Sequence, residues 1–425
     1  MTPSWTRREL LERAGWTSLG LLAAGGAAFA DKPAAQALPP VRAITRGPKF
    51  HWFGYYDKLE FDPAGRYVLG MEVGFEHRSP KPDDAIGIGM VDLKDNDRWI
   101  ELGSSRAWGW QQGCMLQWIP GSKSQVLWND CRDGRFVCHV LDVKTRKKRT
   151  IAHPIYALSP NGRVAVGLDF ARVQDMRPGY GYAGVADPHR GEMAPADSGV
   201  FKVDLTTGRQ ELIVSLAQMA AFGRPHETMK GAKHYVNHLL FNTDGSRFIF
   251  LHRWRPRGGK GRFYTRMLTA TPEGKDLHVA DPSGHTSHFI WRDAEHILAW
   301  TRPAGKAPGF YLFTDRSDRV EQVGKGVMTR NGHCTYLPGR RWILNDTYPI
   351  GLKREQCPYL HHVATGRTVP LGRFHLPPQY RGEWRCDTHP RSSGDGTKVV
   401  IDSPHGGNGR QLYLIDISRI VAGKP

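Results

Sequence analysis

Phe61-Asp-Pro-Ala-Gly-Arg-Tyr-Val-Leu69 reads as a bulky residue, then a turn of Asp, Pro and Gly, then an apolar strand. Pro presets φ, Gly supplies positive φ, and Asp bonds its own backbone, so the turn has a mechanism rather than a composition alone. The pattern returns at Trp118-Ile-Pro-Gly-Ser122, Leu158-Ser-Pro-Asn-Gly-Arg-Val-Ala-Val166, Phe241-Asn-Thr-Asp-Gly-Ser-Arg-Phe-Ile249 and Trp291-Arg-Asp-Ala-Glu-His-Ile-Leu298. It returns again at Tyr336-Leu-Pro-Gly-Arg-Arg-Trp-Ile-Leu344 and Ser392-Ser-Gly-Asp-Gly-Thr-Lys-Val-Val400, making seven copies. A fixed repeat of one short hairpin is the signature of a radial or stacked array.

Each copy is followed by a second hairpin with a polar turn and alternating flanks: 90–102, 139–151, 201–213, 267–279, 310–323, 360–371 and 412–418, where the chain nearly ends. Two hairpins make four strands, which is one propeller blade. The expected fold is all-β, a seven-bladed β-propeller of four-stranded antiparallel blades. The interval 170–198 is rich in Gly and Pro and falls inside the third blade; with 216–233 it reads as an insertion on one face of the disc. Loops of that length in a compact domain are usually functional or disordered.

Three residues before the residue that opens each turn stand Lys58, Met115, Ile155, His238, His288, His333 and His389. Four of seven equivalent places are histidine. The position lies on the innermost strand, so the four imidazoles should converge on the central channel. Imidazoles at close quarters repel when protonated, and such a cluster calls for a metal, an anionic ligand or neutral rings in a hydrogen-bonded network. Further polar groups gather on the same strands: His252, Arg253, Arg266, His285, Arg385 and Asp387.

The N-terminus carries Thr6-Arg7-Arg8-Glu9-Leu10-Leu11, then an uncharged stretch from Ala14 to Ala30, with small residues at Ala28-Phe-Ala30 and Ala35-Gln-Ala37. This reads as a twin-arginine export signal, cleaved near Asp31 or Leu38, rather than a membrane anchor, because the apolar run is short and interrupted by Gly25-Gly26. Residues 1–37 are assigned to signal and linker, and 38–425 to the propeller. The expected location is periplasmic or extracellular, with no stable membrane anchor.

A net charge of +18 favours polyanionic partners. Export argues against nucleic acid, which leaves an acidic polysaccharide or oligosaccharide as the expected partner of a monomeric chain. The dense run Lys144 to Arg149 reads as a solvated hairpin. The six cysteines show no CxxC spacing, and only Cys131 and Cys138 are close enough in sequence to suggest a disulfide. No bridge is expected to be required for folding.

His238-Leu-Leu-Phe241, Phe250-Leu-His252, Arg266-Met267 and His285-Thr-Ser-His288-Phe289 resemble the central blades of oligogalacturonate lyases. These are seven-bladed propellers that split uronic-acid glycans by β-elimination with a metal held by histidines. The resemblance implies a divalent metal (Mn, Zn or Ca), with His238 matching the proposed base, His288 a metal ligand, and His389 the place where the last blade supplies further ligands. That family offers a clustered Gln and His pair in its last blade, whereas this chain has Arg385-Cys-Asp-Thr-His389; His333 then stands in as a ligand from blade six. The expected catalytic residues are His238, His252 and Arg266, the metal ligands His288, His333 and His389, and the substrate contacts Arg253, His285 and Arg385.

The chemistry is consistent with these residue types. Elimination across C4 and C5 of a uronate removes a weakly acidic proton next to a carboxylate, so that carboxylate must be neutralised and a base supplied. A glycoside hydrolase and a non-catalytic glycan-binding propeller remain open alternatives. A hydrolase needs paired carboxylates, for which Glu72, Asp83 and Asp84 are the candidates in blade one. Trp108-Gly-Trp110 is either a sugar platform or core, with core favoured, and Gly87-Ile-Gly89 is too short for a phosphate loop.

Overall fold

In all seven repeats the turn motif closes the same ladder: Phe61 faces Val68, Trp118 faces Val126, Leu158 faces Ala165, Phe241 faces Phe248, Trp291 faces Ile297, Tyr336 faces Ile343 and Ser392 faces Val399. The structure, a computed structural model, describes residues 37–256 and 263–423. Seven four-stranded antiparallel sheets follow one another along the described chain. The expected export signal lies outside the described residues apart from Ala37. Among the described residues no helix is long and apolar enough to cross a membrane.

Blades one to five are each continuous in sequence, from Phe50–Trp52 through Arg98–Ser105 in the first to Phe289–Trp291 through Val320–Val323 in the fifth. Blade six pairs Thr335–Tyr336, Trp342–Asn345, Tyr359–His362 and Thr368–Pro370, with a two-stranded excursion of Glu355–Gln356 against Phe374–His375. Blade seven departs from the expected second hairpin at 412–418. After Gln411–Asp416 the chain turns into a short helix, Ser418–Ala422, and the outermost strand comes from the other end, Val41–Ala43. Val41 pairs with Ile415 and Ala43 with Tyr413, so the first strand of the propeller closes its last blade.

The strands are buried along most of their length because each blade packs between two others, and the apolar side chains of adjacent sheets merge into continuous clusters. Trp108 and Trp110 belong to that core rather than to a sugar platform. Their indole N–H groups donate to the carbonyls of Asp84 and Arg78, both at 2.8 Å. The cysteines are all free; Cys131 faces Phe136 and Cys138 faces Asn129, two residues out of register with each other.

The insertion in blade three follows its second strand and holds a helix, Phe170–Met176, while Leu216–Ala221 lies on the connection to blade four. In an antiparallel blade both connections leave from the end opposite the first hairpin turn. Both insertions therefore cover the same mouth of the channel, and the turn motifs surround the other. A cavity of about 600 Å³ opens among those turns, lined by Tyr56, Lys58, Glu60, Trp291, Tyr336 and Arg391.

Candidate active site

His238, His288, His333 and His389 meet at the channel axis, each between 2% and 5% exposed. The His333 ring lies 4.3 Å from that of His288 and 4.2 Å from that of His389. Tyr55 bridges to the fourth: its ring stacks on His238 at 4.6 Å and stands 5.2 Å from His389. Tyr55 reaches the axis because Gly54 takes φ 104° directly against the Gln112 backbone, where an added Cβ would lie 2.9 Å from the carbonyl carbon. Asp402 accepts from the amides of Phe53 and Gly54 and is itself held by Arg391 at 2.7 Å.

His238 occupies a β-bulge on the innermost strand of blade four, with left-handed backbone at φ 54°. The extra residue turns its ring into the channel instead of along the ladder. Nδ1 lies 3.0 Å from the Gln112 amide and 3.1 Å from the Tyr156 hydroxyl, and Nε2 faces the Tyr55 hydroxyl at 3.5 Å. Burial, and after it the charges of Arg177, Lys58 and His333, hold the His238 pKa well below 6.5. The ring is neutral near pH 7.

His333 accepts a different arrangement. Its Nδ1 donates to the Asp346 carboxylate, 3.0 Å from each oxygen, while Thr388 donates its hydroxyl proton to the same group. A carboxylate behind Nδ1 fixes the tautomer and leaves Nε2 as a lone-pair donor. His288 is fixed in the same way by Asn331, whose Oδ1 is 2.9 Å from Nδ1. His333, Asp387 and His389 offer ligand atoms within 4.8 Å of one another, and His389 Nε2 is buried with no hydrogen-bond partner. Two imidazoles and a carboxylate around an orphaned nitrogen fit a divalent cation. His288, expected as a ligand, packs against this trio with its ring tilted 56° to that of His333.

Arg385 does not point freely into the site. It grips Asp387 through Nε and Nη2 at 2.7 and 2.6 Å and lies over the Tyr348 ring, so it fixes the orientation of the Asp387 carboxylate. His252 and Arg266 are bonded to each other and to their own surroundings. His252 Nδ1 accepts from Arg266 Nε at 3.0 Å and its Nε2 lies 2.8 Å from His234 Nδ1, leaving neither nitrogen to act as a base. Arg266 also donates to the carbonyls of Met219, inside the helix Leu216–Ala221, and of Phe222, its C-cap, and so braces the insertion. His285 sits exposed at the surface, its backbone bridged to Thr265. Of the hydrolase candidates, Glu72 pairs with Lys49 and His51, and Asp84 with Arg78.

The residues that sequence reading missed come mainly from the covering loops. Gln111 donates its amide N–H to Gly179 and its side-chain N–H groups to the carbonyls of Glu383 and Arg385, tying three loops together over the mouth. That roof places Tyr180 5.8 Å from the His238 ring and Arg177 over Tyr180 at 3.9 Å. Tyr348 adds a further hydroxyl 3.4 Å from His288 Nε2. Asp387 is not among the residues missed: it stands two residues before His389 and is visible in the sequence.

No protein-family model matches the sequence, and no curated protein does. Among solved structures, an oligogalacturonate lyase from Vibrio parahaemolyticus is similar in fold, with a TM-score of 0.64 at 14% identity over 90% of this chain and 94% of that one. An oligogalacturonate lyase in complex with manganese gives 0.65 at 14% identity over 91% and 95%. TolB from Acinetobacter baumannii gives 0.40 at 13% identity over 83% and 80%. At these identities the likeness is one of fold: a seven-bladed propeller related in architecture to those lyases.

Proposed function

We propose that this chain is an exported lyase that cleaves a uronate-containing glycan by β-elimination, with His238 as the base. The observation that carries the reading is a neutral, buried imidazole set beside the Arg177 guanidinium and close to a His–Asp ligand cluster. The fold likeness to two oligogalacturonate lyases, one of them a manganese complex, supports it.

His333, Asp387 and His389 would hold the divalent cation, with His288 alongside. When bound, it supplies a Lewis acid that neutralises the uronate carboxylate and makes the neighbouring C–H more acidic. Arg177, whose Nη1 is buried without a partner, takes the place expected for Arg266 and meets the same carboxylate. His238 removes the C5 proton; that C–H pair becomes the C4–C5 double bond, and the C4–O4 pair leaves with the departing sugar. The Tyr55 hydroxyl, near His238 Nε2, is placed to give that oxygen its proton. The base form requires the Gln112 amide oxygen to face Nδ1, which also gives the partnerless Oε1 an N–H to accept.

His238→Ala should reduce release of unsaturated uronate by about 10²–10⁴-fold, the usual contribution of a positioned base, while acidic oligosaccharide still binds. The test is a panel of acidic glycans followed by the absorbance of the new double bond. A saturated product with incorporated water, or an unchanged rate in the variant, would overturn the assignment.

A further inference from the structure

Beside the proposed reaction site lies a group of buried cations of which the elimination uses only Arg177. Arg253 stands opposite Tyr235 on the second strand of blade four and is 3% exposed, yet its Nε and Nη1 have no acceptor. Arg255 Nε, Arg177 Nη1 and the Tyr235 hydroxyl are likewise buried without partners. Phe263 holds the group together: the guanidinium carbons of Arg177 and Arg253 lie 4.7 and 4.9 Å from its ring centre. Arg255 is fixed from behind by donating to the Met176 carbonyl at 2.6 Å.

Among the described residues no carboxylate pairs with Arg177, Arg253 or Arg255; Glu383, packed against Gly179, accepts from Ser79 through Oε1. Asp175 pairs with Arg190 and Lys233, Asp187 with Arg172, and Asp387 with Arg385. The titratable groups that act most on Arg177 are Tyr180, Tyr235, Tyr348 and Tyr55, none of them a carboxylate. Guanidinium groups withdrawn from water without a counter-charge destabilise a fold. Such an arrangement is retained where a ligand brings the missing charge. Every orphaned atom in this group can donate, and the guanidinium nitrogens can do nothing else, so the matching ligand presents acceptors.

We infer that Arg253, Arg255 and Tyr235 form a subsite for a second anionic group of the glycan, a sulfate ester or a second carboxylate, on the sugar next to the uronate that faces Arg177. The glycan occupant rests on the lyase reading; the anion site rests on the buried donors. The preferred substrate then bears negative charge on adjacent sugars, and a chain alternating uronate with neutral sugar is a poor one.

Binding is measured by calorimetry on His238→Ala protein, so that nothing is turned over, with and without Arg253→Gln. The probes are fully charged trigalacturonate against the same trimer esterified to leave one carboxylate, and a sulfated glucuronate oligosaccharide against its desulfated form. The protein with Arg253 should favour the more highly charged member of at least one pair by about tenfold, and Arg253→Gln should bring that ratio towards one. The pair that shows the preference identifies the group. Equal affinities within both pairs, or a preference that survives Arg253→Gln, would overturn the subsite. Arg253→Gln alone should melt no lower than wild type, since it removes an unpaired charge; a lower melting temperature with the charge preference lost would make Arg253 structural and also overturn it. Tyr235→Phe, which deletes one donor, should weaken the preference several-fold without disturbing the fold. A charge preference with no unsaturated product from wild type would remove the lyase reading and leave the subsite standing.

Discussion

His238 and His389 hold backbone angles that side chains rarely adopt, φ 54° and 39°, and Met115 at the same register position in blade two holds 59°. Left-handed backbone at a non-glycine residue costs about 1–2 kcal/mol, and strain of this kind concentrates at sites where orientation matters more than stability. Buried neutral histidines add a pH dependence whose sign is fixed. The His234 pKa is pushed down to about 4 by burial and by Arg266, from 6.5 in the unfolded chain, and His252 is lowered in the same direction. Between those values the unfolded chain binds the proton and the folded chain does not. The stabilisation is therefore complete above pH 6.5 and lost as pH falls towards 4, amounting to roughly 3 kcal/mol for His234 alone. Urea midpoints should hold steady at neutral pH and fall below 6.5, and His234→Gln should flatten the upper part of that fall; a midpoint indifferent to acid over this range would contradict the assignment. The histidine register was legible because four equivalent slots share one residue type. Arg177, Tyr55 and Asp346 were not, because they reach the histidines through loop crossings and a bulge that leave no period in the sequence.

Among the elements, the outermost strand of blade seven is the least legible and the most consequential for closure. Val41–Ala43 is three residues long and polar at its centre, too short to register as period-2 alternation. It nevertheless pairs with Gln411–Asp416 across nearly the whole chain, extended by Ile44 N–H donating to Leu412 O at 2.9 Å and Asp416 N–H to Pro40 O at 3.1 Å. The seven turn motifs were readable because each repeats local turn chemistry, whereas this strand is specified only by the partner it meets. Deleting residues 38–45 leaves the edge of Gln411–Asp416 unpaired. An exposed edge is a template for another chain. The truncated protein should unfold at a lower temperature and self-associate, as read by differential scanning calorimetry and light scattering, while far-ultraviolet circular dichroism stays β-rich. An unchanged melting temperature would mean that the propeller is held shut by blade packing alone.

At the scale of the molecule, a net charge of +18 surrounds a channel whose own cations include Lys58, Arg177 and Arg253. Two effects of this charge can be separated by salt. The long-range field gathers a polyanion and acts on encounter, and it is screened once the Debye length shrinks from about 30 Å at 0.01 M to about 8 Å at 0.15 M. Contacts inside the closed, water-poor site are screened far less, because little electrolyte reaches them. If the field delivers the glycan and the buried groups do the chemistry, kcat/KM on a long acidic polysaccharide should fall about tenfold or more over that range while kcat changes little. A trisaccharide, which spans the site but little of the surrounding surface, should show a weaker fall. Steady-state kinetics of double-bond formation with both substrates at several salt concentrations measures this directly. A parallel fall in kcat would place the salt-sensitive charges at the reacting sugar, and an identical salt slope for polymer and trisaccharide would mean that the basic surface outside the channel takes no part in recruitment.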